Sequence, residues 1–231
     1  MSGRRDYGQF CGMAAGLNII GERWTLLIVR ELLIGPVRFS EMIDNLPGIG
    51  PNLLSERLRS LSDHGVIEQL PVPGDGRGKL YQLTDAGREL RGPLLALARW
   101  GMAFLDDEDD ADAMRAEWGF LAVQAMIIED RVPDVDEVYE FRVGDQAFAV
   151  EVVDRKLGFT RGKADSPNLL VTCAPDTFIR IGARLTTPFE ALATGGVKIE
   201  GPTDVIQRCV RMLGLADPPP PAARGSAANA R

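Results

Sequence analysis

The stretch Pro51-Asn52-Leu53-Leu54-Ser55-Glu56-Arg57-Leu58-Arg59-Ser60-Leu61 puts leucine at 54, 58 and 61, a spacing at which side chains share one face of an α-helix. Pro51 suits the first turn of such a helix, where its missing N–H is no loss, and Gly65 can close the far end. With those leucines turned inward, Asn52, Ser55, Glu56 and Arg59 lie broadly outward and Arg57 sits on the flank. Each of them alone fits an ordinary solvated face equally well, and Arg57 also fits a salt bridge within its own domain.

Upstream, Ile20, Trp24, Leu27, Ile28 and Leu32 fall at helical spacing, and Gly35-Pro36 stops that helix. Ser40 is placed to cap a short second helix carrying Met42, Ile43 and Leu46, which ends before Pro47-Gly48. Downstream, Val66 to Leu70 and Leu80 to Leu83 read as two short strands. Between them Pro71-Val72-Pro73-Gly74-Asp75-Gly76-Arg77-Gly78-Lys79 reads as a mobile cationic tip. Thr84 then caps a helix in which Leu90, Leu94, Leu97, Gly101, Phe104 and Leu105 make one stripe despite Pro93. That stripe needs cover, from its own domain or from a second copy.

Helix, short helix, helix and hairpin is the order of a winged helix, in which the third helix enters the DNA major groove and the hairpin reaches an adjacent groove. Arg59 or Arg57 can pair bidentately with guanine, Asn52 with adenine, and Glu56 can accept from cytosine. Ser55 and Ser40 suit phosphates, and Arg77 and Lys79 suit the minor groove or phosphates, although a tip of this composition is also an ordinary solvated loop. The whole-chain charge of −7 opposes nucleic acid only as an average. Residues 1–105 carry net +1 and residues 106–231 net −8, so binding relies on a few placed arginines and on dimerisation rather than on a broad positive field.

Gly21-Glu22-Arg23-Trp24-Thr25-Leu26-Leu27-Ile28-Val29-Arg30-Glu31-Leu32 and Arg38-Phe39-Ser40-Glu41-Met42 resemble the HxlR-type regulators. So do Leu46-Pro47-Gly48-Ile49, Leu53 through Leu61, Gly65-Val66-Ile67 and Tyr81-Gln82-Leu83-Thr84-Asp85-Ala86-Gly87. The resemblance covers roughly residues 8–105. It implies a homodimer held by the N-terminal segment and the last helix, with two recognition helices on half-sites of a near-palindromic double-stranded DNA operator.

The run Asp106-Asp107-Glu108-Asp109-Asp110-Ala111-Asp112 repels itself and reads as a linker, assigned to 106–113 after a first domain of 1–105. Met114, Trp118, Leu121, Ala125 and Ile128 suggest a helix. Alternating stretches follow around Val143, 148–152, 158–159 and 169–172, then a short helix at 189–192, a strand at 197–201 and a final helix at 205–213. The second domain, 114–216, is thus α+β, as is the fold overall, and 217–231, with its four prolines, reads as a disordered tail.

Ala174-Pro175-Asp176-Thr177-Phe178 and Ala191-Leu192-Ala193-Thr194-Gly195-Gly196-Val197-Lys198-Ile199-Glu200-Gly201 resemble the closing part of sterol carrier protein type two domains. That likeness implies a twisted sheet and helices around an apolar tunnel. Trp118, Phe141, Phe148, Phe159, Phe178 and Phe189 are then candidates to line a cavity for a small apolar effector, with plain core packing the alternative for each.

The single histidine, His64, would have to serve alone in any Ser-His-Asp or Cys-His hydrolase and cannot make a His-rich metal site, and just before Gly65 it reads as a structural residue at a helix end. Without a phosphate loop, metal cluster or acid/base pair at telling spacing, no catalytic residue, cofactor or metal is assigned. Cys11, Cys173 and Cys209 follow no disulfide or zinc pattern, and with no apolar run of spanning length a cytoplasmic protein is expected. Cys11, just ahead of the first helix, supports a rival reading as a redox sensor, with the second domain serving only for oligomerisation or docking.

Overall fold

The single helix predicted through Ile20 and Leu32 is two helices, α1 (Gly12–Ile20) and α2 (Thr25–Ile34). Trp24 between them has φ 77°, in the left-handed region that an α-helix of L-residues does not pass through. Ile28, Val29 and Leu32 of α2 are buried, whereas Leu27 is 40% exposed. The computed structural model describes residues 6–72, 75–105 and 115–217, with the side chains of 75–77 left out of the description. The chain divides between Leu94 and Leu95, inside one helix, into two compact units. The acidic run 106–112 and the tail from Pro218 lie outside the described residues.

In the first unit, β1 (Val37–Arg38) leads into α3 (Phe39–Asn45). Arg38 rather than Ser40 occupies the N-cap position, and the Glu41 carboxylate accepts its backbone N–H at 3.0 Å. Ser40 therefore lies inside the first turn, exposed. Next, α4 (Pro51–Asp63) begins with Pro51 in its first turn and is followed by Gly65 at φ 69°. Leu54, Leu58 and Leu61 are almost wholly buried against α2, α3 and the strands that follow.

The hairpin strands, β2 (Ile67–Val72) and β3 (Asp75–Leu83), are longer than the sequence suggests. Their antiparallel ladder runs from Ile67↔Leu83 through Pro71↔Lys79 and, after a register shift, to Val72↔Asp75, so Gly78 and Lys79 are strand residues and not loop tip. The run of glycines hides this strand, because glycine has little preference for the extended state. β3 also pairs with β1, giving the order β1-β3-β2.

Thr84 caps α5 (Asp85–Arg88), its Oγ1 accepting the Gly87 N–H at 3.1 Å. A Cβ on Gly87 would meet the Val66 carbonyl at 2.1 Å, so this junction requires glycine. The expected long helix from Thr84 is broken here, and α6 (Arg91–Met102) takes Pro93 in its first turn, where proline is tolerated. Leu94 is buried, while Leu97, Trp100, Phe104 and Leu105 are exposed.

The second unit runs α7 (Gly119–Met126), β4 (Glu137–Val143), β5 (Gln146–Val153), β6 (Lys156–Arg161), β7 (Leu169–Cys173), α8 (Pro175–Gly182), α9 (Pro188–Ala193), β8 (Val197–Glu200) and α10 (Thr203–Met212). The sheet order is β6-β5-β4-β7-β8, with only the β4/β7 pair parallel. Register aligns Phe141 with Phe148 and Val171, Val171 with Ile199, and Val143 with Cys173. These residues share one face, since side chains alternate along strands. That face belongs to a core completed by residues of α7, α8 and α10. On the opposite face Glu140, fully buried, accepts from Arg142 Nε at 2.6 Å and from the Ala164 N–H at 2.8 Å, which ties the β6–β7 connection across β4. Glu137, also buried, is held by Tyr139 Oη and by Arg208, whose Nε donates at 2.9 Å.

Candidate nucleic-acid interface and effector cavity

On α4 the three buried leucines leave Asn52, Ser55, Glu56 and Arg59 exposed on the other side of the helix. Arg57 is engaged elsewhere, with only 13% of its side chain exposed. It donates to the Arg23 carbonyl at 3.2 Å, to Glu22 Oε2 at 3.2 Å and to Glu56 Oε1 at 2.9 Å. These bonds tie the turn between α1 and α2 to the flank of α4, the salt-bridge alternative that the sequence leaves open for this residue. Glu56 retains one carboxylate oxygen beyond that bond. Ser40 lies exposed on α3, and Lys79 lies exposed on β3 opposite Pro71. Arg77 belongs to β3 by its backbone, and its side chain is outside the described residues. Arg23, not singled out by its spacing, stacks 5.5 Å from the Trp24 ring centroid.

Large exposed apolar side chains among the described residues include Tyr7, Phe10, Met13 and Leu17, then Leu97, Trp100, Phe104 and Leu105, with Leu27, Val135, Val153, Phe189 and Leu192 elsewhere. The Trp100 and Phe104 rings lie 4.5 Å apart. Cys11 is exposed at the N-cap of α1, where the backbone N–H groups of Ala14 and Met13 hold its thiol below the usual cysteine range.

In the second unit a cavity of about 50 Å3 opens beneath the apolar sheet face, lined among others by Met126, Phe141, Val171, Phe178, Ile199 and Leu213. Of the six aromatic candidates, Phe141 and Phe178 reach this lining. Phe148 is stacked on Phe141 at 5.6 Å and lies edge-on to Phe178 at 6.0 Å, in the core beside it. Phe159 packs half-buried against the same core, Trp118 is half-buried, and Phe189 is 77% exposed and away from the lining. The aliphatic part of the wall carries no sequence signal separating it from ordinary core. Cys173 and Cys209 also line the cavity, and burial pushes their thiols up to about 11 and about 12. Both are therefore neutral, and the wall is uncharged. At about 50 Å3 the cavity is smaller than the ~150 Å3 that accommodates a benzene ring, so a larger guest requires side chains to move.

Among the described residues, no group of three or more His, Cys, Asp or Glu side chains could hold a metal ion, and no helix is long and apolar enough to cross a membrane.

Residues 19–109 match the HxlR-like helix-turn-helix family, and residues 122–214 match the SCP-2 sterol transfer family. An uncharacterised HTH-type transcriptional regulator of Mycobacterium tuberculosis is 42% identical over 101 residues, 44% of this chain. The chain spans 62% of the length of that relative. A second uncharacterised HTH-type transcriptional regulator, from Synechocystis, is 33% identical over 103 residues, covering 45% of this chain and 76% of its own length. Among solved structures, the reduced form of the transcriptional regulator YodB from Bacillus subtilis is 28% identical, with a TM-score of 0.38 over 44% of this chain and 100% of that one. With the Synechocystis protein matched over three-quarters of its length, the chain belongs to the HxlR-like helix-turn-helix family.

Proposed function

We propose that this chain is a sequence-specific DNA-binding transcriptional regulator that acts as a homodimer and responds to a small apolar ligand held in its second unit. The observation that carries the DNA reading is α4 itself, with three leucines anchoring it from behind and Asn52, Ser55, Glu56 and Arg59 left exposed in front. That is the arrangement a helix needs to lie in a major groove and offer side chains to base edges. Ser40, exposed on α3, is assigned to phosphates, and Lys79, exposed on β3, together with Arg77 of the same strand, to the minor groove or phosphates. Arg57 positions α4 through Glu22 and the Arg23 carbonyl. Support for the homodimer comes from the apolar side chains exposed at 7–17 and 97–105, which would be buried against a second copy. In functional terms the DNA-binding and dimerising part is 1–105, the linker 106–113, the ligand-binding part 114–216 and the tail 217–231.

Control by a ligand requires that it bind one arrangement of the dimer more tightly than another, so that the spacing of the recognition helices shifts. The neutral apolar cavity under the sheet supports this part of the reading. A gel-shift titration with a selected operator tests the DNA claim: Arg59→Ala loses specific affinity while its thermal melt stays unchanged. Undiminished affinity in that variant removes α4 as the reading element.

A second reading, thiol-based control through Cys11, is favoured by that residue's exposure and by the α1 N–H groups stabilising its thiolate. Under it the second unit serves for oligomerisation or docking. Operator binding with and without mild oxidant, in the natural protein and in Cys11→Ser, separates the two. Oxidant sensitivity that disappears in Cys11→Ser favours the thiol, and insensitivity in both favours the ligand.

A further inference from the structure

The second unit holds another cavity, of about 150 Å3, lined by Arg99, Met102, Met126, Gly182, Arg184 and Leu213, among others. Met126 and Leu213 also line the apolar cavity under the sheet, so these two side chains stand between the spaces. Methionine is the adaptable one of the pair. Its sulfur lies 3.1 Å from where a Cβ on Gly182 would be, so the glycine leaves it room.

The chemistry of the second cavity differs from the first. Arg99 donates to the carbonyls at the end of α7, with Nε 2.5 Å from the Ala125 oxygen and Nη2 on Ile127. Arg184 donates to the Gly214 carbonyl and, at 3.4 Å, to that of Asp217. Among the described residues neither arginine has a carboxylate at ion-pair distance. The Asp217 carboxylate, which attracts Arg184 from further off, is paired with Arg131 at 2.5 Å. A guanidinium has five N–H donors, so each retains donors beyond these carbonyls. Two positive charges thus border one small space that opens, past a movable methionine, toward a neutral apolar one. An anion placed there would gain charge-assisted hydrogen bonds from both guanidinium groups.

We infer that Arg99 and Arg184 form a binding site for the carboxylate of an amphipathic ligand, whose apolar tail displaces Met126 and enters the cavity beneath the sheet. The inference rests on the reading of 114–216 as a ligand-binding part, extends that site to Arg99 on α6, and names the head group selected there. Octanoate and octanol share a tail and differ in charge, so calorimetric titration of the full chain with each isolates the head-group site. The expected result is that octanoate binds at least about tenfold more tightly, the order expected of one charge-assisted hydrogen bond. In Arg99→Gln and Arg184→Gln that preference shrinks while octanol affinity is unchanged, and Arg184→Lys, which retains the charge, keeps most of it. Octanol affinity also reports whether each variant is folded, and Arg99→Gln alters an exposed residue should Arg184→Gln fail to fold. Equal affinity of the natural protein for both ligands overturns the carboxylate site and leaves the apolar cavity standing. Binding of neither overturns both.

Discussion

The exposed face of α4 and the wall of the cavity under the second sheet are both candidate sites, yet they are built from opposite materials. On α4 the site consists of residues that have no place in a core: Asn52, Ser55, Glu56 and Arg59 stand where helical periodicity turns them away from Leu54, Leu58 and Leu61. In the second unit, the wall consists of Phe141, Val171, Phe178 and Ile199, which are the residues any core would use. An outward site is therefore visible as a departure from packing, whereas an inward one differs from packing only by a small volume left unfilled. The cysteines repeat the contrast, since Cys11 lies exposed at a helix start while Cys173 and Cys209 are buried in the apolar wall.

The contrast implies that substitutions in the two places fail differently. Phe148→Ala, which removes a side chain stacked on Phe141 and edge-on to Phe120 and Phe178, should cost about 3–5 kcal/mol of stability by urea denaturation. A loss well under 1 kcal/mol would mean that this cluster is not tightly packed. Arg59→Ala should leave the urea midpoint in place and weaken operator binding by about 1–3 kcal/mol. A shifted midpoint with unchanged binding would reverse the roles assigned to the two regions. Thr84→Ala removes the cap between β3 and α5 and should lower stability by about 1 kcal/mol without altering base preference, as read by thermal melting and gel shift.

The smallest expected effect is chemical. Because its thiol is held below the usual range, Cys11 is more fully thiolate near neutral pH than an unstructured cysteine, and it should be alkylated faster than a cysteine in a short peptide. Cys173 and Cys209, protonated and buried, should stay unreacted until the protein unfolds. Mass spectrometry of a timed iodoacetamide reaction distinguishes them, and prompt labelling of all three would contradict the buried wall.

Much of the first unit could be read in advance because its elements announce themselves locally: leucine spacing and Pro51 set α4, and Thr84 and Gly87 mark the turn after β3. The misses came where geometry overrode pattern. Ile20 and Trp24 match a continuous helix in spacing, but the left-handed backbone at Trp24 breaks it. Gly74 to Gly78 looks like loop, yet β3 begins at Asp75, paired with Val72, and after a register shift continues from Lys79 opposite Pro71. Ser40 has the side chain of a cap, but Glu41 reaches back to Arg38 and shifts the helix start. In the second unit the order of elements was legible except for α8, which the pattern leaves unassigned between the strand at 169–172 and the helix at 189–192, and the lining was not. Phe189 and Phe178 differ little as residues, and only the packing puts one at 77% exposure and the other on the cavity. Arg99 and Arg184, 85 positions apart in the chain, share no motif that would bring them together before folding.

Selection of duplexes from a random DNA pool at about 0.15 M salt, with the natural protein and Arg59→Ala side by side, tests the central claim most directly. The account predicts enrichment of an inverted repeat whose half-site centres are about one helical turn, or a multiple of it, apart, with base preference flattened at one position of each half-site in the variant. A pool that stays random, or an enriched motif indifferent to the loss of Arg59, would contradict it.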